Sequence, residues 1–149
     1  MNEPVKITLA KGKEHSLKRF HPWVFSGAIK NISGEVQEGD IVEVFSSNNE
    51  YLGMGHCQIG SIAVRLFSFT KVNPDYEYWK NKLQAAYNFR KQINLVNNPN
   101  TNCYRLLFAE GDGMPGFIID YYNRTAVFQF HSIGMFLMRD VFVKALKEI

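Results

Sequence analysis

Two short segments of this chain hold residue types whose spacing could do chemistry. The first is Lys18-Arg19-Phe20-His21-Pro22-Trp23-Val24-Phe25. Arg and Lys meet phosphates, and a Trp, Phe or His stacks on an unpaired base, so this mixture points to a nucleic acid. The surrounding charge agrees. Residues 5–34 carry Lys6, Lys11, Lys13, Lys18, Arg19 and Lys30 against Glu14 alone, in a chain whose net charge is only +3. A local excess of cations favours a polyanion through counterion release. The competing reading is a solvated basic face with Trp23 and Phe25 in the core.

The second segment, Gly111-Asp112-Gly113-Met114-Pro115-Gly116, has the letters of GxGxxG after a strand-like run. A cofactor loop of that type must open a helix whose N-terminal N–H groups meet the ligand. Here the chain continues into Phe117-Ile118-Ile119-Asp120-Tyr121-Tyr122, which is strand material, and Pro115 removes one amide. The motif therefore reads as a turn needing three glycines, with Glu110 and Asp112 facing a partner. Glu110, Asp112 and Asp120 could pair as acids, but no nucleophile or electrophile accompanies them. The histidines and cysteines show no metal spacing. Cys57 reads as a small core residue, and neither a GxSxG elbow nor a helical HExxH is present. As a free-standing enzyme the chain shows no engine.

These segments need elements to position them. Val5–Leu9 alternates with period two, as a half-buried strand does. A helical turn fits within Glu14–Phe20, stopped by His21-Pro22. Strands are predicted at 23–25, 41–45, 51–55 and 62–67, five in all with the first, which suggests a small curved sheet or barrel. Gly53 and Gly55 would let that sheet bend or another backbone approach. A boundary falls at 70–75. Asn73 as cap and Pro74 at the first position open an amphipathic helix with its stripe on Tyr76, Trp79, Leu83, Ala86, Tyr87 and Ile93. Strands at 104–108, 117–121 and 126–130 come after it, then a helix from Ile133 to Ile149.

The chain's 149 residues allow one domain or two small ones, and 14% aromatics exclude general disorder. No apolar run is long enough to span a membrane, and the N-terminus lacks the apolar stretch of a secretory signal. Two cysteines are too few for a disulfide scaffold. A cytoplasmic setting is the simplest expectation.

The run Leu17–Ile29 resembles the opening of the PUA-containing, S-adenosylmethionine-dependent rRNA methyltransferases, those acting on carbon 5 of a cytosine in 23S rRNA. The similarity continues through Gly39–Val44, Tyr51–Gly55, Ser61–Arg65, Tyr104–Leu107 and Glu110–Tyr122, in family order. His56-Cys57-Gln58-Ile59-Gly60 departs from the family's usual stretch after Gly55. The resemblance implies an α+β chain: a small PUA-like β-barrel over 1–72, then a mixed α/β linker domain over 73–149 (helix, antiparallel strands, helix). It also implies a Rossmann-like catalytic domain downstream, so the chain is expected to be an N-terminal fragment. S-adenosylmethionine is then expected for the full-length parent and none for this piece, which alone transfers no methyl group. Neither Cys57 nor Cys103 inherits the nucleophile role. The expected partner is RNA, most simply 23S rRNA, met by Lys11, Lys13, Lys18, Arg19 and His21. Two alternatives stay open: a free-standing PUA-type RNA-binding module and a protein–protein adaptor. Homo-oligomerisation is open as well.

Overall fold

The computed structural model describes residues 4–149. They form two compact units that divide between Val72 and Asn73.

The first unit is built on β1 (Val5–Leu9), α1 (His15–Lys18), β2 (Trp23–Phe25), β3 (Ile29–Ile32), β4 (Ile41–Phe45), β5 (Tyr51–Cys57) and β6 (Ile62–Ser68). These strands make one six-stranded sheet in the order β2-β6-β5-β4-β1-β3. β1 runs parallel to β4, and the other pairings are antiparallel. The sheet curls into a half-barrel rather than a closed barrel, with β2 and β3 as its edges. Alternation in β1 buries Ile7 and Leu9, which join Leu17, Val24, Val42, Val44, Leu52, Val64 and Leu66 in the core. Gly55 permits the curl. A Cβ there would lie 2.3 Å from the carbonyl oxygen of Arg65, and the β5–β6 register shifts at the same point. The sixth strand, β3, escapes sequence reading. Ile29-Lys30-Asn31-Ile32 shows no alternating burial and is a strand because it pairs with the distant β1.

The second unit opens with α2 (Tyr76–Gln92). Its cap is Asp75, not Asn73: the Asp75 side chain accepts from the Tyr78 N–H at 2.9 Å, and Asn73 instead donates to Asp75. Pro74 lies before the helix and accepts from the Trp79 indole N–H. Strands β7 (Cys103–Phe108), β8 (Phe117–Tyr122) and β9 (Thr125–Phe130) form an antiparallel meander. The expected final helix is broken at Met138 into α3 (Ile133–Leu137) and α4 (Arg139–Glu148). The Met138 N–H bonds back to Met135, while its carbonyl accepts from Phe142. Phe117 stacks on Phe130 and Phe142, with ring centroids 4.6 and 4.7 Å apart, and Trp79 meets Phe142 edge-on. Ile93, expected on the buried stripe, is exposed just past the helix end, and Arg90 is buried in that stripe. No helix among the described residues is long and apolar enough to cross a membrane.

Candidate nucleic-acid interface

In the first unit, α1 and β2 present the basic, aromatic segment. Lys11 and Lys13 are exposed on the turn after β1, where Gly12 takes a left-handed φ of +82° and the Lys13 N–H closes onto the Ala10 carbonyl. Arg19 is exposed at the end of α1. No ion pair among the described residues engages Lys11, Lys13, Arg19 or Lys30. Lys18 differs. Its ammonium lies 2.6 Å from the Glu50 carboxylate, whose hydrogen bond holds it above the usual lysine range, so a phosphate would have to displace Glu50. Lys6 is likewise occupied, donating to Asn49 and lying over the Phe45 ring.

The aromatics fall between the two sequence readings. Val24 is core, Trp23 is half-buried, and Phe25 is 49% exposed. The His21 ring meets Trp23 edge-on at 5.5 Å and lies parallel to Phe25 at 6.5 Å. Its Nδ1 accepts from the Trp23 N–H, so the neutral ring carries its proton on Nε2. A groove of about 330 Å³ runs beside them, lined by Lys13, Ser16, Trp23, Phe25, Gly27 and Ala28. The arrangement combines exposed cations, a concavity and ring faces that a base can stack on. Phe25 joins the candidate residues. Phe25 lay within the segment singled out in sequence, and it stands on the face opposite buried Val24.

The glycine-rich segment is built quite differently. Ala109–Asp112 forms a short 3-10 turn, and Gly113 and Gly116 take left-handed φ values of +67° and +79°. Gly111 does not, so two glycines rather than three are required by backbone conformation. The amides of Gly113, Met114 and Phe117 donate to the carbonyls of Glu110, Ala109 and Met114. With those amides spent, Pro115 lacking one and β8 coming directly after, the loop does not fit a cofactor in the manner of a strand–loop–helix site. Asp112 faces inward, which corrects the expectation of a partner. Its carboxylate takes a two-point contact from buried Arg90, at 2.6 and 2.8 Å, and accepts from the Phe108 N–H. Arg90 also donates to the Arg105 carbonyl, and Arg105 closes on Asp120 at 2.8 Å. Lys82 reaches the Gly113 carbonyl, and burial pushes its pKa down.

The remaining polar candidates are structural. Cys57 is buried and its thiol donates to the Gln37 carbonyl. His56 is buried against Phe67, and desolvation pushes its pKa down to about 4. Among the described residues no group of three or more His, Cys, Asp or Glu could hold a metal ion.

Residues 7–69, which hold the curled half-barrel and its basic, aromatic α1–β2 edge, match the family model described as a PUA-like domain. Beyond that domain, nearly the whole chain has relatives. It is homologous to ribosomal RNA large subunit methyltransferase I, being 38% identical to the protein of Aliivibrio fischeri (strain MJ11) over 97% of its length. With that of Yersinia pestis bv. Antiqua (strain Angola) the identity is 34% over the same share. The chain spans 36% of the length of these relatives. Its fold matches a protein from Streptococcus mutans described as a SAM-dependent methyltransferase, with a TM-score of 0.81 and 23% identity. That match covers 96% of this chain and 37% of the other.

Proposed function

We propose that this chain recognises ribosomal RNA on behalf of an S-adenosylmethionine-dependent methyltransferase, with the first unit holding the RNA and the second serving as the linker towards a catalytic domain. The observation that carries this reading is the α1–β2 edge: exposed Lys11, Lys13 and Arg19, with no ion pair among the described residues, beside the His21, Trp23 and Phe25 rings, inside a PUA-like domain. The relatives' names supply the RNA class, the large-subunit rRNA. A cytosine carbon 5 in 23S rRNA is the target that the sequence resemblance implies, and the cytoplasm is the compartment.

The chain's own residues bind and orient in this scheme. S-adenosylmethionine supplies the methyl group when bound by the catalytic part, and the loop at Gly111–Gly116 is not built to hold it. Two titrations test the reading. The chain binds a 23S rRNA fragment at low salt, and calorimetry with S-adenosylmethionine gives no micromolar heat. Undetectable RNA binding at low salt would favour a protein–protein adaptor, and micromolar cofactor binding would contradict the assignment of the cofactor site elsewhere.

A further inference from the structure

Phe20 is both exposed and strained. It is 72% exposed, yet its φ is +64°, a left-handed conformation that bulky residues avoid and glycine adopts freely. The end of α1 imposes that geometry. The Phe20 N–H donates to the Leu17 carbonyl at 2.9 Å, and the His21 N–H to the Ser16 carbonyl at 3.0 Å. These are the two bonds of a Schellman turn, in which the left-handed position usually belongs to glycine. Here a phenylalanine holds it. Burial does not account for the choice, because the ring meets Phe69 edge-on, at 5.3 Å between centroids, and leaves most of its surface to water.

Strain that the fold does not need gathers at binding positions. Phe20 stands between Arg19, an exposed cation, and His21, whose ring begins the His21–Trp23–Phe25 cluster. We propose that Phe20 is a stacking platform for an unpaired RNA base, held outward by the Schellman turn while Arg19 meets the adjoining phosphate. The proposal rests on the RNA-binding reading above. The basic surroundings select a polyanionic occupant over an apolar peptide, and every base offers the ring face that stacking needs.

The test compares the wild type, Phe20→Gly and Phe20→Trp on two probes, an RNA hairpin with an unpaired loop and a blunt RNA duplex. Fluorescence anisotropy across salt concentrations and thermal melting are the readouts. Phe20→Gly relaxes the turn and melts no lower than the wild type. Its hairpin affinity falls by about 5- to 150-fold, the range that stacking one base supports. Its duplex affinity and its salt slope stay as they were, since stacking releases no counterions. Phe20→Trp keeps the hairpin affinity. Wild-type hairpin affinity in Phe20→Gly overturns the proposal, as does an equal loss on both probes. A lower melting temperature with weakened binding would make Phe20 a packing residue against Phe69. A wild-type chain that binds neither probe at low salt removes the RNA reading itself, whereas an unaffected glycine variant removes only the role of Phe20.

Discussion

In the first unit, Lys11, Lys13 and Arg19 stand exposed with no ion pair among the described residues, and a groove and ring faces lie beside them. In the second unit, Arg90 and Arg105 are closed onto Asp112 and Asp120, and the amides of the glycine-rich loop bond within the loop. Both segments attract notice in the sequence because they gather charged, aromatic or glycine residues. What separates them is whether the fold consumes their hydrogen-bonding capacity. A donor already spent on a buried carboxylate has none left for a ligand. Lys18 marks the middle case, since an exposed Glu50 holds it in a pair that water screens and a phosphate can replace.

The largest expected effect breaks the second unit's internal pairing. Arg90→Ala leaves the half-buried Asp112 carboxylate beside an empty space and removes the donor to the Arg105 carbonyl. Loss of one partner from a buried pair costs about 3–5 kcal/mol, which urea denaturation would show. Salt-dependent RNA binding at conditions where the variant remains folded is unchanged. A shift below about 1 kcal/mol would mean that the pair behaves as a solvent-screened surface contact.

A smaller effect sharpens the comparison inside the first unit, where His56 is buried. Its imidazole has a pKa of about 4 in the fold, below the unfolded value of about 6.5. Protonation therefore favours the unfolded chain. Stability is full above pH 6.5 and falls by up to about 3 kcal/mol as the pH drops to 4. Denaturation midpoints of the wild type and His56→Gln across that window check this. The glutamine variant loses the histidine share of the slope, and identical pH profiles would contradict it.

Much of this organisation is legible in the amino-acid sequence, for identifiable reasons. Period-two alternation in Val5–Leu9 and the apolar spacing of Trp79, Leu83 and Ala86 report burial directly, and both segments fold as their patterns require. Three features are hidden because they are set by distant partners or by the local chain path. Ile29–Ile32 is a strand only through β1. Arg90 occupies a core-facing helical position because Asp112, on a later loop, neutralises it. Phe20 carries no local signal of a left-handed backbone, and its conformation comes from how α1 ends. His21-Pro22 does not itself stop that helix, which finishes at Lys18. The cap at Asp75 rather than Asn73 is a smaller matter, since both side chains can cap and only the geometry chooses.

The most direct measurement of the central claim is the salt dependence of binding to a 23S rRNA fragment for three proteins. They are the wild type, the Lys11→Ala/Lys13→Ala/Lys18→Ala/Arg19→Ala variant, and the Lys144→Ala/Lys147→Ala variant. If those four residues meet four phosphates, log affinity falls against log salt with a slope of roughly −3 to −4 in the wild type. The first-unit variant brings that slope close to zero without unfolding the domain, because all four side chains are exposed. The second-unit variant keeps the wild-type slope. Unchanged affinity and slope in the first-unit variant, or equal losses from both variants, would contradict an RNA interface on the α1–β2 edge.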